Sequence, residues 1–112
     1  MKNQLKICFD IDGVICNNTW GNYEAAKPNI KAINKINSLY YKGHYIILFT
    51  SRYMGYSNEN PEKAYNIGFK FIKSQLIKWK IKYHKLIMGK PTYDIIIDDK
   101  SFDYSDGWID RL

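Results

Sequence analysis

Two aspartates, Asp10 and Asp12, stand one residue apart at the end of an apolar run and are followed by Gly13. Side chains alternate in direction along a strand, so residues at this spacing share a face. Two carboxylates at a buried strand end repel each other, and a bound cation, a shared proton or a mechanism must compensate. The alternative interpretation is an Asp-Gly turn that closes a hairpin. The rest of the chain favours a chemical role for the two aspartates, because it supplies the other groups that such a site needs.

Apolar runs that alternate with helical periodicity predict an α/β domain with a parallel sheet. We expect strands at about 5–11, 45–50, 85–88 and 93–98. Pro28 and Pro61 suit the first turns of two helices, the first ending at Gly43 and the second capped by Asn60. The tail from Lys100 to Leu112 looks irregular, although its apolar residues could dock on the core.

Ligands of an open parallel sheet bind at the carboxyl ends of the strands. After Asp10 and Asp12, the polar residues at these predicted ends are Thr50, Ser51, Arg52, Lys90, Asp98 and Asp99. Any one of them could be an ordinary loop residue. Together, all four strands deliver a hydroxyl, a cation or a carboxylate to the same edge.

The predicted set of oxygen ligands favours Mg²⁺, with Asp10 and Asp98 as its side-chain ligands. Thr50 and Lys90 would then face an anionic group, as in phosphoryl transfer. A carboxylate can attack phosphorus and form an aspartyl phosphate. A second carboxyl group can protonate the leaving oxygen and then activate water.

These residues resemble the motifs of the haloacid dehalogenase superfamily of phosphatases. The matching segments, in the family's order, are 9–14, 48–52, 89–91 and 97–99. The resemblance covers nearly the whole chain and implies one domain over residues 1–112, a minimal Rossmann-like three-layer sandwich with a mostly parallel central sheet. The segment 89–100 looks most like small bacterial phosphatases of capsule or surface-polysaccharide synthesis. Val14 departs from the Thr or Ser that many members carry there.

The resemblance also implies individual roles. Asp10 would be the nucleophile and a metal ligand, and Asp12 the acid/base, with its backbone carbonyl on the metal. Thr50 and Lys90 would hold the phosphoryl oxygens. Asp98 and Asp99 would complete the Mg²⁺ site, in an order that the sequence leaves open.

The spacing between motifs leaves no room for the cap domain that many family members insert. We therefore expect an open site whose selectivity comes from the loop after the second strand. Its candidate substrate-binding residues are Ser51, Arg52, Tyr53 and Tyr56. The alternative is that this is a mobile surface loop.

Composition limits the partners. The chain carries 17 Lys and Arg against 11 Asp and Glu, a net charge of +6, but it has no compact basic block, which makes nucleic acid an unlikely partner. It has no apolar run of membrane length and no signal-peptide layout, so we expect a cytoplasmic protein whose two cysteines are reduced.

The leading substrate class is a sugar phosphate or similar small metabolite. The alternatives are a phosphatase acting on a macromolecule and a non-catalytic phosphate-binding module. Aromatic residues in the loops also predict a homo-oligomer.

Overall fold

A computed structural model describes residues 4–105 and 107–112 of the chain. Three strands alternate with two long helices, and a short helix lies near the end. The elements in chain order are β1 (Lys6–Asp10), α1 (Ile30–Tyr41), β2 (Tyr45–Thr50), α2 (Pro61–Lys78), β3 (Lys85–Met88) and α3 (Trp108–Arg111). A single 3₁₀ turn, Tyr23–Ala25, lies between β1 and α1.

The sheet has the order β1-β2-β3, and both pairs of strands are parallel. Cys8 pairs with Ile47, and Leu48 pairs with Leu86. The chain therefore has the predicted fold class, a small α/β domain of minimal Rossmann-like type. Because the partner of β1 is a parallel strand, the segment around Asp12 is not the turn of a β-hairpin. Asp10 and Thr50 end neighbouring strands, and Lys90 follows Met88 closely at the same edge.

The prediction of a fourth strand at 93–98 is wrong. Residues 91–105 form no strand and are exposed, with Ile95 and Ile97 80% and 95% accessible. The apolar run has the composition of a buried strand, but strand preference mainly reflects packing against neighbouring strands. Within the described residues, β1 pairs with β2 alone, and no strand pairs with this segment.

Local signals set the ends of the helices. Asn60 caps α2 by accepting a hydrogen bond from the backbone N–H of Lys63 at 3.1 Å, and Pro61 is its first residue, as predicted. The prediction that α1 starts at Pro28 is wrong, because Asn29 caps that helix by accepting from the N–H of Ala32 at 3.1 Å. Gly43 adopts a φ of +98° directly after α1, where a side chain would be strained.

One cluster of buried apolar residues joins the sheet to the helices. Its largest fully buried side chains are those of Ile11, Ile15, Ile36, Ile46, Leu48, Ile72 and Leu76. Trp108 brings the end of the chain into this cluster, with its ring 6.0 Å from that of Phe9. The tail therefore docks as expected, although it does so through a short helix.

The described part of the chain contains no inserted domain over the carboxyl edge of the sheet. A loop and α1 occupy the connection from β1 to β2, and a loop and α2 occupy the next one. None of the helices in the described ranges has the length and apolar character needed to cross a bilayer.

Candidate active site at the carboxyl edge of the sheet

Lys90 and Asp10 form an ion pair at the end of β1. The ammonium Nζ lies 2.8 Å from Oδ2 of Asp10, and the lysine side chain is 10% exposed. The other carboxylate oxygen of Asp10, Oδ1, accepts a hydrogen bond from the backbone N–H of Ile11 at 2.8 Å. Both oxygens of this carboxylate are thus held in place, and a positive charge stands directly against one of them.

The position of Lys90 is fixed by β2 and by two aromatic rings. Its backbone N–H donates to the carbonyl of Thr50 at 3.1 Å, and its ammonium lies 5.0 Å from the ring centre of Tyr93 and 5.9 Å from that of Phe49. Burial alone would lower the pKa of Lys90, but Asp10 and Tyr93 outweigh it, and the pKa is raised. The side chain is therefore cationic at neutral pH.

Arg52 and Asp12 form a second ion pair at the same edge. The guanidinium grips the carboxylate with Nε 2.9 Å from Oδ2 and Nη2 2.8 Å from Oδ1. Arg52 is 1% exposed, whereas the side chain of Asp12 is 21% exposed. The fork of Arg52 is directed at Asp12 and is closed off from solvent, so a contact between Arg52 and substrate stays a prediction.

Three further side chains surround the guanidinium of Arg52. Nη1 donates to Oε1 of Gln75 at 2.6 Å, Nη2 lies 3.5 Å from Sγ of Cys16, and the ring of Tyr23 covers the guanidinium at 4.7 Å. Burial lowers the pKa of Arg52, but the hydrogen bonds and charge of Asp12 more than offset this, so its pKa is raised. Burial, followed by the charge of Asp12, raises the pKa of the Cys16 thiol to about 12.

A tight turn after β1 brings Cys16 back to Asp12. The backbone N–H groups of Ile15 and Gly13 donate to the carbonyls of Ile11 and Cys16 at 2.9 and 2.8 Å. Gly13 has a φ of +90°, a conformation that residues with a side chain rarely adopt. Gly13 thus permits this turn, which leaves the Asp12 carboxylate beside Arg52.

Thr50 and Ser51 lie at the edge as expected. Thr50 is fully buried, and its Oγ1 accepts from the N–H of Arg52 at 3.1 Å. Ser51 is half-buried, and its carbonyl accepts from the N–H of Met54. Contacts of either side chain with a phosphoryl group remain predictions.

The two tyrosines of the following loop differ in their freedom. The ring of Tyr53 packs edge-on against Tyr23 at 4.8 Å and lies so close to Gly68 of α2 that a Cβ there would overlap it. Tyr56 is 68% exposed, and its hydroxyl donates to the carbonyl of Gly21 at 3.3 Å. Tyr53 therefore packs the loop against α2, whereas most of the Tyr56 side chain is exposed, and a contact of either with substrate stays a prediction.

Asp98 and Asp99 are exposed and form no carboxylate cluster with β1. Asp98 closes a local turn, in which its Oδ1 accepts from the N–H of Lys100 at 2.9 Å. Within residues 4–105 and 107–112, no three His, Cys, Asp or Glu side chains are grouped to hold a metal ion. The four carboxylates expected to converge are thus not assembled here, and the reason is the absence of the fourth strand. A metal role for Asp98 or Asp99 stays a prediction.

Sequence reasoning missed Gln75 as a member of this site. Gln75 is 8% exposed on the core-facing side of α2, between the buried positions of Ile72 and Leu76. A polar residue within an apolar helical stripe needs a buried hydrogen-bond partner. That irregularity in the stripe was the signal, and Arg52 is the partner.

Comparison with known proteins supports the fold. No family model matches the chain, and no curated protein matches it. Among solved structures, it is similar to the crystal structure of a target protein from Vibrio cholerae, with a TM-score of 0.79 and 23% sequence identity over 95% of this chain and 94% of that chain. At this identity the likeness establishes a shared fold over nearly the full length.

Proposed function

We propose that the chain is a Mg²⁺-dependent phosphomonoester hydrolase of the haloacid dehalogenase type, with Asp10 as the nucleophile. The observation that carries the proposal is the pairing of each carboxylate with its own cation at one edge of the sheet. Lys90 lies 2.8 Å from Asp10, and Arg52 lies 2.8 Å from Asp12. Two carboxylates with separate partners can take separate roles, one as nucleophile and one as acid and base.

Mg²⁺ suits the donor chemistry of this edge, which offers oxygen ligands. Proteins commonly bind this ion through one or two carboxylates together with water and substrate phosphate. Asp10 and the backbone carbonyl of Asp12 would hold it, with Asp98 or Asp99 as a further ligand. When bound, the ion would supply charge neutralisation for the phosphoryl group.

The residues of the chain would divide the remaining work between two steps. In the first, which Asp12 enters in its protonated form, a carboxylate oxygen of Asp10 bonds to phosphorus as the bond to the leaving oxygen breaks, and Asp12 gives that oxygen its proton. In the second, Asp12 takes a proton from water, which attacks the aspartyl phosphate and releases inorganic phosphate and free Asp10. Lys90 would neutralise charge on the phosphoryl oxygens, together with the hydroxyl of Thr50.

We propose a small phosphorylated metabolite as the substrate, with a sugar phosphate of capsule or polysaccharide synthesis as the first candidate. The described chain places no cap over the edge, so access is not restricted by an inserted domain. The exposed ring of Tyr56 offers an apolar face to a sugar. The proposed setting is the cytoplasm, and exposed apolar residues such as Trp20 and Ile97 are consistent with a homo-oligomer.

A panel of phosphomonoesters, assayed with Mg²⁺ and with EDTA, tests the proposal. We expect phosphate release from at least one sugar phosphate, loss of release in EDTA, and recovery when Mg²⁺ is added in excess. Full turnover in chelator would refute the metal requirement. No release from any member of the panel by folded protein with Mg²⁺ would refute the function.

The net charge of +6 favours one alternative, a phosphatase that acts on a polyanionic macromolecule. Binding of a polyanion weakens steeply with salt, because it depends on the release of counterions. A salt titration of activity on a phosphorylated oligonucleotide and on a sugar phosphate separates the two. A higher kcat/KM for the oligonucleotide that falls steeply with salt would favour the alternative.

A further inference from the structure

We infer that Arg52 is a positioning residue that fixes which oxygen of Asp12 exchanges the proton with the leaving group. The inference rests on the proposed function, since it assigns a role within the same reaction. It departs from the expectation drawn from the sequence, in which Arg52 contacts the substrate. Its basis is the unequal hydrogen bonding of the two carboxylate oxygens of Asp12.

Oδ1 of Asp12 accepts three contacts, whereas Oδ2 accepts one. Oδ1 lies 2.8 Å from Nη2 and 3.1 Å from Nε of Arg52, and 3.4 Å from Sγ of Cys16. Oδ2 lies 2.9 Å from Nε, which it shares with Oδ1. A carboxylate oxygen offers about two lone-pair sites, so the crowded Oδ1 is occupied and Oδ2 keeps a free one. The proton would therefore leave from and return to Oδ2.

The guanidinium that imposes this asymmetry is itself held by Gln75 and Tyr23. Nη1 donates to Gln75 at 2.6 Å, and Nε2 of Gln75 donates to the carbonyl of Tyr23 at 2.9 Å. The ring of Tyr23 covers the guanidinium at 4.7 Å. Because Arg52 is 1% exposed and α2 supplies Gln75, rotation of the fork away from Asp12 would break buried hydrogen bonds. Arg52 thus connects Asp12 to α2 through buried hydrogen bonds.

A misplaced general acid has an effect that depends on the leaving group. An alkoxide leaving group, such as that of a sugar phosphate, needs a proton as its bond to phosphorus breaks. The anion of 4-nitrophenol is stable enough to leave without one. Because Asp12 also serves the hydrolysis of the aspartyl phosphate, a step that both substrates share, the comparison is made in kcat/KM, which reports formation of that intermediate. Loss of orientation at Asp12 should therefore lower kcat/KM for alkyl phosphates and spare it for 4-nitrophenyl phosphate. A general loss of structure would slow both.

The experiment compares Arg52→Lys, Arg52→Gln and Gln75→Leu on these two substrate types, with folding checked by circular dichroism. General acid–base catalysis is typically worth about 10²–10⁴-fold, and we expect loss of orientation to remove about 10- to 100-fold of kcat/KM on the alkyl phosphate. On 4-nitrophenyl phosphate we expect less than about threefold. Gln75→Leu keeps both residues of the ion pair but removes one hydrogen bond that holds the guanidinium of Arg52. It should therefore show the same selectivity to a smaller extent. Arg111→Gln, which changes the exposed arginine of α3, is the matched control and should show no such selectivity.

A double-mutant cycle with Asp12→Asn completes the test. If Arg52 acts through Asp12, Arg52→Gln should cost almost nothing further in the Asp12→Asn background. Equal losses of kcat/KM on both substrate types, or effects on kcat/KM that multiply in full in the double variant, would overturn the positioning role. Wild-type protein that hydrolyses neither substrate with Mg²⁺ would instead overturn the proposed function, and the inference with it. A selective loss in the Arg52 variants, together with almost no further loss when Arg52→Gln is added to Asp12→Asn, would support both the proposed function and the positioning role.

Discussion

The Nζ atom of Lys90 lies 2.8 Å from the carboxylate of Asp10, although 80 positions separate the two residues in the sequence. Asp10 ends β1, and Lys90 is carried to it by a short segment after β3, with its N–H bonded to Thr50 of β2. The parallel sheet thus brings a cation to the first carboxylate.

We predict that Lys90→Met lowers kcat on phosphomonoesters by about 10²–10³-fold, the usual effect of removing one group that stabilises charge in the transition state. Methionine keeps an unbranched chain of similar length between Phe49 and Tyr93. Steady-state kinetics with Mg²⁺ measures the change.

The control for Lys90→Met is Lys85→Met, which removes an exposed lysine at the start of β3 and the same net charge. It should leave kcat within about twofold of the wild-type value, because exposed charges interact weakly in water. Similar losses in both variants would mean that net charge, and not the pairing with Asp10, sets the rate.

We predict that Gly68→Ala destabilises the fold by about 1–3 kcal/mol, the usual cost of overpacking. A Cβ at this position would overlap the ring of Tyr53, which Tyr23 blocks on another side. Alanine favours a helix over glycine by about 1 kcal/mol, which offsets part of the cost. Urea unfolding measures the difference.

Gly55→Ala is the control for Gly68→Ala. A methyl group added at Gly55, which lies in the same loop as Tyr53, would meet no other atoms within 4 Å. The free energy of unfolding of this variant should stay within about 0.5 kcal/mol of the wild-type value. If Gly68→Ala were equally neutral, the close packing of the loop on α2 would be refuted.

We predict that the free energy of unfolding falls as the pH rises above 9, in part because of Cys16. The pKa of this thiol is raised from 9.0 to about 12 in the folded chain, mainly by burial and then by Asp12. Between these values the unfolded chain has released the proton and the folded chain still holds it, so rising pH favours unfolding. At about 1.4 kcal/mol for each pKa unit, the loss approaches about 4 kcal/mol at the upper end.

Urea unfolding in EDTA at several alkaline pH values measures this slope. Cys16→Ala should flatten it clearly, whereas Cys8→Ser, which replaces the exposed cysteine, should flatten it less. An unchanged slope in Cys16→Ala would show that the buried thiol does not titrate as described.

Local patterns were sufficient to predict most of the fold. The apolar runs predicted β2 and β3 with their observed bounds, and Asn60 with Pro61 predicted the start of α2. The isoleucines at 95–97 misled, because a strand also requires pairing with a neighbouring strand, and local composition does not report pairing. The start of α1 was misplaced because Asn29 supplied the cap that Pro28 cannot.

The site was predicted in part. Strand ends indicated Asp10, Asp12, Thr50 and Lys90 at one edge, since parallel strands deliver their carboxyl ends together. The partners of these residues could not be predicted, because they depend on which side chains α2 and the turn after β1 bring into contact. Arg52 shows this most clearly: its position in the loop predicted a substrate-binding residue, and its enclosure by Gln75 and Tyr23 could not be foreseen.

Trapping the phosphorylated enzyme tests most directly whether Asp10 is the nucleophile. Wild-type protein is mixed with a phosphomonoester and Mg²⁺, quenched in acid within milliseconds, digested and analysed by mass spectrometry. We predict one added phosphoryl group on the peptide that contains Asp10, and neither adduct nor turnover in folded Asp10→Asn, because an amide cannot replace the attacking carboxylate. Normal turnover by Asp10→Asn, or an adduct on another residue, would contradict the account.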